Sequence, residues 1–343
     1  MIGYYIHHVG RGHLQHAGCV AAHFTEEVTG LSSLQEPPGW PGQWITLPRD
    51  DTGGPPVEPS AGGQLHWAPL RDAGLRDRMA AIAAWIQHAD PSAFMIDVSV
   101  EVSALARLMG VPVVVPVLPG VRNDPAHRLG YGLAEQLIAP WPAFISPALL
   151  FGMPERTAEI QHVGAFSRFD GRAPDGKTRL AGNRTVMVLQ GNGGTTVTDQ
   201  DVREAAASTP GWSWTVLGGD SGRWEEDPWA ALCRADVIVT HAGLSALAEV
   251  AAARKPAIII PQARPHAEQV TTSRALASAG LAITAESWPA GRHWATLLGA
   301  ALDLGGDRWG TWSSGTGARQ AAELIENLNC RNAGTARRCA ARS

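Results

Sequence analysis

The residues best placed for chemistry in this 343-residue chain lie between Val237 and Gln269, VIVTHAGLSALAEVAAARKPAIIIPQARPHAEQ. His241 and Gly243 sit between a β-branched run, Val237 to Thr240, and a helix-forming run, Leu244 to Ala253. A strand that enters a helix through a Gly-containing turn leaves backbone N–H groups without intrahelical partners, here those near Gly243, Leu244, Ser245 and Ala246. With the positive end of the helix dipole, those groups make a seat for a phosphate. Glu249 lies further along the same helix, where its carboxylate could accept hydrogen bonds from a sugar diol beside the phosphate. The next strand, Ala257 to Ile260, stops at Pro261. The polar loop after it ends in Glu268 and Gln269, which offer the acceptors and donors a hydroxyl-rich ligand needs. The plainer reading of the stretch is one βαβα unit of an open sheet.

Other turns follow strands in the same way. Ile2 to His7 reads as a strand, followed by Val-Gly-Arg-Gly-His with Gly12 and His13, then an Ala-rich helix to about Glu27. Thr185 to Leu189 reads as a strand followed by Gln-Gly-Asn-Gly-Gly, whose Gly191, Gly193 and Gly194 would let backbone approach an anion closely. Either loop could also be a simple turn. Phe94 to Gly120 gives strand, helix and strand, with Asp97 at the first strand's end. Asp97 either caps the next helix through a backbone N–H near Ser99 or orients the His13 imidazole. Ser32 to Gly63 is a Pro/Gly-rich stretch with one short strand, Trp44 to Leu47; Trp40, Trp44 and Trp67 are read as core or as walls of an acceptor groove.

The alternation of short β-branched runs with Ala-rich helices specifies an α/β protein with mainly parallel sheets. Two domains are expected, residues 1–166 and 184–328, joined by the polar segment Ser167 to Asn183. The last 13 residues hold four Arg and no acid and read as a basic, disordered tail, with 329–343 outside the second domain.

The order His-x-Gly, an acid eight positions after the His, a strand, and then an acid-Gln pair resembles the nucleotide-sugar site of GT-B glycosyltransferases. It is most similar to the bacterial UDP-N-acetylglucosamine transferases of peptidoglycan synthesis and, more distantly, to the plant and animal UDP-glycosyltransferases. The resemblance implies two Rossmann-like domains facing a cleft. It implies that His241, Gly243, Leu244, Ser245 and Ala246 hold a diphosphate, Glu249 the ribose, and Glu268 with Gln269 the donor sugar. It also implies that Gly12 and the Gly191, Gly193 and Gly194 loop border the site, and that Leu217, Gly218 and Trp224 lie near the base. His13 matches the His that serves as base toward the acceptor in several such families, with His16 its nearest competitor. The plant pattern has Asp at the position of Glu268 and Ser at that of Ala246, which leaves the donor sugar open. A last helix, Gly317 to Leu328, would cross back to the first domain.

Composition excludes other classes. Hydrophobic residues at 45% and charged residues at 17% describe a globular chain, and 28 Lys plus Arg against 32 Asp plus Glu argue against nucleic acid as partner. Cys19, Cys233, Cys330 and Cys339 have no CxxC spacing, so reduced thiols are expected. No secretory segment and no run of ~20 apolar residues is present, which favours a cytoplasmic protein without a transmembrane segment; peripheral membrane contact stays open. No Asp-x-Asp pattern stands beside a strand end, and no cofactor or metal is required by the sequence. The expected function is an inverting, metal-independent glycosyltransferase using a UDP-sugar and an unidentified acceptor. The alternatives are a nucleotide-sugar hydrolase of the same fold and a non-catalytic sugar-nucleotide-binding subunit.

Overall fold

The computed structural model describes residues 1–153, 158–173, 184–191, 196–219 and 225–340, with side chains as far as residue 328. Its first half alternates β1 (Ile2–Tyr5), α1 (Arg11–Ala21), β2 (Val28–Ser32), β3 (Gln43–Thr46), α2 (Ala73–Ala89), β4 (Ala93–Ile96), α3 (Val100–Leu108) and β5 (Val113–Pro116). It continues through β6 (Gly120–Val121), α4 (Pro125–Leu133), β7 (Gln136–Ala139), α5 (Ser146–Leu149), β8 (Leu150–Phe151) and β9 (Ile160–His162). The second half comprises β10 (Arg184–Leu189), α6 (Asp199–Ala207), β11 (Trp212–Leu217), α7 (Trp229–Arg234), β12 (Val237–Thr240) and α8 (Leu244–Ala253). It ends with β13 (Ala257–Ile259), α9 (Glu268–Ser278), β14 (Ile283–Thr284), α10 (Gly291–Leu304) and α11 (Gly317–Ala340).

Seven strands form one sheet in the order β3-β2-β1-β4-β5-β7-β9, five form another in the order β11-β10-β12-β13-β14, and β6 pairs with β8. The pairings are parallel, for example Ile2 with Ala93 and Val186 with Val237. Alternate residues of each strand enter different cores: Tyr5, Phe94 and Ile96 pack on one face of the first sheet, Ile2, Tyr4 and Met95 on the other. Sheets buried on both faces need continuous apolar strands, which explains the unbroken runs in the sequence. Strand order reverses between β1 and β4 and again between β10 and β12. At such a switch point the following loops diverge and leave a crevice beyond the carboxyl ends of the strands, where open α/β sheets bind ligands. Helix α11 returns to the first sheet and places Ala321, Ala322 and Ile325 against Ile2, Tyr4 and Ala17.

Several local expectations change. Helix α1 starts at Arg11, so Gly12 and His13 belong to its first turn, and it stops at Ala21 rather than near Glu27. Val28–Ser32, which carries little strand signal because of Gly30, is a central strand. A Cβ on Gly30 would overlap the Trp44 ring and meet Trp40 at 2.9 Å, so the glycine admits both indoles over the sheet. Trp40 and Trp44 therefore pack edge to face in the core, 5.1 Å apart, and do not form an acceptor groove. The sequence from Asn123 to Ile138 reads as a polar loop and helix, whereas Gln136–Ala139 is strand β7. The start of the expected linker is packed: Ser167 and Phe169 are buried. Helix α11 runs on to Ala340 through most of the segment expected as a tail.

Candidate active site

Both switch points open onto one cleft of about 320 Å³. On the second-half side, β12 ends at Thr240 and α8 starts at Leu244 with Gly243 as its N-cap and no side-chain cap. Leu247 N–H is the first to bond back into the helix, to the Gly243 carbonyl, so the N–H groups of the first turn are left for a ligand. His241 accepts the Gly243 N–H on Nδ1 at 3.0 Å. A neutral ring then carries its proton on Nε2. Burial pushes the His241 pKa down to about 4, so the ring is neutral at physiological pH. A Cβ on Gly191 would lie 2.7 Å from that Nε2, which places the β10 loop directly over the donor. Gly218 holds φ 76 beside the Gln190 carbonyl, where a side chain would collide.

Glu249 is 5% exposed and faces the same cleft. Its Oε1 accepts from Gln15 Nε2 and from Arg168 Nε, each at 3.0 Å. Burial raises its pKa, and Arg168 and Gln15 offset part of that rise. Glu268, the first residue of α9, pairs with buried Arg122 at 3.0 Å. The Gln269 amide oxygen accepts from Ala242 N–H at 3.2 Å and Gln262 N–H at 2.9 Å, tying the loops after β12 and β13 together. Its carbonyl is thus occupied by backbone, and its amide nitrogen lies 3.5 Å from His241 Nδ1.

On the first-half side, α1 also begins with a glycine, Gly10, and no side-chain cap. His13 Nδ1 lies 2.6 Å from Asp97 Oδ2, a close charge contact without the alignment of a full hydrogen bond. Asp97 does not cap the following helix, because Ser99 does so by accepting from Val102 N–H. Burial by itself would lower the His13 pKa; the Asp97 charge and contact, with a smaller contribution from Glu268, outweigh it and raise the pKa above 6.5. His16 sits one turn on, packs edge-on against Phe166, and meets Ser245 Oγ through Nε2 at 3.1 Å. Burial lowers its pKa to about 4. A Cβ on Gly12 would come within 2.9 Å of Ser245 Oγ, so the first turns of α1 and α8 approach closely across the cleft.

Gly12, His13, Asp97, Gly191, Leu217, Gly218, His241, Gly243, Leu244, Ser245, Ala246, Glu249, Glu268 and Gln269 thus line one cavity. Gly193, Gly194 and Trp224 lie outside the described residues. Gln15, Arg168 and Arg122 are the contacts that sequence reasoning missed. Nothing in a lone Arg of a polar segment, or a Gln inside an amphipathic helix, signals a partner 81 or 234 residues away.

Residues 228–287 match the glycosyltransferase family 28 C-terminal domain. Over 200 residues the chain is 28% identical to the UDP-N-acetylglucosamine--N-acetylmuramyl-(pentapeptide) pyrophosphoryl-undecaprenol N-acetylglucosamine transferase of Paracidovorax citrulli (strain AAC00-1), covering 51% of this chain and 53% of that protein. The chain therefore spans about half the length of the curated relative it matches. Among solved structures, the glycotransferase of kitacinnamycin superposes with a TM-score of 0.65 at 18% identity, over 95% of this chain and 98% of that one. MurG of Acinetobacter baumannii gives 0.64 at 13% identity, over 95% and 99%. The fold is that of the GT-B glycosyltransferases. In this GT-B arrangement the family match covers α7 to β14, the stretch that carries His241, Gly243, Glu249, Glu268 and Gln269.

Proposed function

We propose that the protein is a glycosyltransferase that moves a sugar from a UDP-sugar to an acceptor hydroxyl by a single, inverting displacement. Residues 1–166 form the acceptor side and 184–328 the donor side. The observation that carries the reading is that the His13–Asp97 pair at one switch point and the uncapped α8 N-terminus with His241 at the other share one cleft. The N–H groups of Leu244 to Ala246 and the His241 Nε2–H receive the diphosphate, and Glu249 takes the ribose hydroxyls. Leu217 and Gly218 border the base, Gly12 and Gly191 let backbone approach the donor, and Glu268 takes a donor-sugar hydroxyl. Gln269 acts by holding the loops that carry His241 and Gln262.

In the transfer step the acceptor oxygen forms a bond to the anomeric carbon as the bond from that carbon to UDP oxygen breaks. The acceptor proton passes to His13 Nε2, because Nδ1 faces Asp97, which orients the ring. The leaving diphosphate is stabilised by fixed N–H dipoles that need no reorganisation, so the donor chemistry requires no metal. The name of the curated relative makes UDP-N-acetylglucosamine the first donor to try. No helix among the described residues is long and apolar enough to cross a membrane, and we place the reaction at the cytoplasmic side.

A thermal-shift panel of nucleoside diphosphates and nucleotide-sugars, followed by mass analysis of products with candidate acceptors, tests the proposal. UDP should stabilise the fold, with equal affinity in the presence of chelator. Release of UDP and free sugar without any acceptor requirement would instead favour the hydrolase, and UDP binding with no turnover the binding subunit.

A further inference from the structure

Beyond His13 and Glu268 the cleft continues into a second cavity of about 500 Å³. His66, His127 and His266 line it, and Asp124 converges with them, one ligand atom of each of the four lying within 4.8 Å of every other. They come from three segments: the long loop before α2, the start of α4, and the turn before α9. Each segment is held. Glu101 Oε1 accepts from the backbone N–H groups of His66 and Trp67 at 2.8 and 2.9 Å. Asp124 caps α4 through the His127 N–H at 3.0 Å. His266 and Ala267 both hold left-handed backbone, φ 59 and 54, which residues other than glycine adopt rarely. Gly120 approaches that turn so closely that any side chain there would collide with the His266 carbonyl.

Hydrogen bonding separates ligands from support. Arg122 only donates, and its Nη1 lies 3.1 Å from His127 Nε2, so Nε2 accepts and Nδ1 carries its proton toward Asp124 Oδ2 at 2.6 Å. His127 therefore orients the carboxylate. His66 Nε2 stands 3.3 Å from Asp124 Oδ1, and His266 Nδ1 stands 3.8 Å from Oδ2. Metal bonds of about 2.0–2.2 Å set neighbouring ligand atoms about 3 to 4 Å apart, so these separations suit a shared ion. The nearby Arg122 charge is already met by Glu268.

We propose that His66, Asp124 and His266 bind a divalent transition-metal ion of the zinc class, with its remaining coordination positions open to the second cavity. Two imidazoles and one carboxylate favour Zn²⁺ or Co²⁺ over Mg²⁺ or Ca²⁺. The ion ties the turn that leads into Glu268 to the start of α4 and to the loop bearing His66. It takes no part in holding the diphosphate, and the site stands whether or not the proposed transfer reaction is correct.

The test uses tag-free full-length protein, stripped with chelator and then dialysed. Zn²⁺ is titrated by calorimetry and Co²⁺ by visible absorption. One ion per chain is expected, with affinity falling at least about tenfold in His66→Ala and in His266→Ala and about 10- to 100-fold in His127→Gln. His8→Ala, which alters the separate His8, Asp50 and Asp51 group, should leave binding unchanged. UDP binding measured on the same samples reports the donor site separately. Absence of stoichiometric binding, survival of binding in both His66→Ala and His266→Ala with wild-type circular dichroism, or its loss in His8→Ala overturns the proposal and leaves the four side chains as a hydrogen-bonded latch.

Discussion

Replacing Asp97 with Asn should reverse the direction in which the fold shifts the His13 pKa. Two opposed effects act on that imidazole: burial lowers its pKa, and the carboxylate 2.6 Å away raises it and prevails. Asp97→Asn removes the charge but keeps the volume in a position only 7% exposed, so burial is left as the larger influence. The pKa should drop from above 6.5 to below it, since the remaining carboxylate contribution, from Glu268, is the smallest. A base must be deprotonated to act, so the acid limb of kcat/KM should lie above pH 6.5 in the wild type and move to lower pH in the variant. The variant ring is also less well oriented, and its loss in turnover is bounded by that of His13→Ala, about 100- to 10,000-fold, or roughly 2.7–5.4 kcal/mol of transition-state stabilisation. The titration can be read without knowing the acceptor, by NMR of the His13 ring carbon in protein labelled at histidine. UDP affinity should hold in both variants, because the proposed diphosphate and ribose contacts use neither side chain. A His13 titration that stays in place or moves up in Asp97→Asn would refute the argument, as would a collapse of UDP binding.

Three further outcomes follow from the geometry. Glu249→Ala should lose about 1.5 to 3 kcal/mol of UDP binding per ribose hydrogen bond removed, a weakening of roughly 10- to 150-fold per bond by calorimetry; unchanged affinity would mean that the carboxylate serves only Gln15 and Arg168. Gly191→Ala should weaken UDP binding and leave the thermal midpoint nearly unchanged, because the new Cβ would press on His241 Nε2 at 2.7 Å; full UDP affinity in the variant would remove that nitrogen from the donor site. His7, His16 and His241 have folded pKa values near 4 against 6.5 for the free side chain, so the unfolded chain binds more protons between those values. Stability from these groups is therefore complete above about pH 6.5 and is lost as pH falls toward 4, which a flat thermal midpoint across that window would contradict.

The cleft residues of the second half were legible because their signals are local. A β-branched run, a glycine turn and an Ala-rich helix determine where His241, Gly243 and Glu249 stand relative to one another, and the 33 residues involved need no distant partner to be read. Both parallel sheets were legible for the same reason, as strands buried on two faces stay apolar throughout. Strand β2 was not, because its central glycine exists to make room for Trp40 and Trp44, residues ten and fourteen positions away whose location only the sheet order reveals. The two roles open for Asp97 had the same sequence signature at a strand end; the pairing of β1 with β4 decided for His13 by bringing the loops after both strands to one crevice. Tertiary structure alone joined Glu249 to Gln15 and Arg168, stapled Gln269 to two loops, and gathered His66, Asp124 and His266 from three segments. Side-chain type and short-range spacing determine what a residue can do, whereas partners across a cleft are set by how separately folded elements dock, and that arrangement leaves no period in the chain.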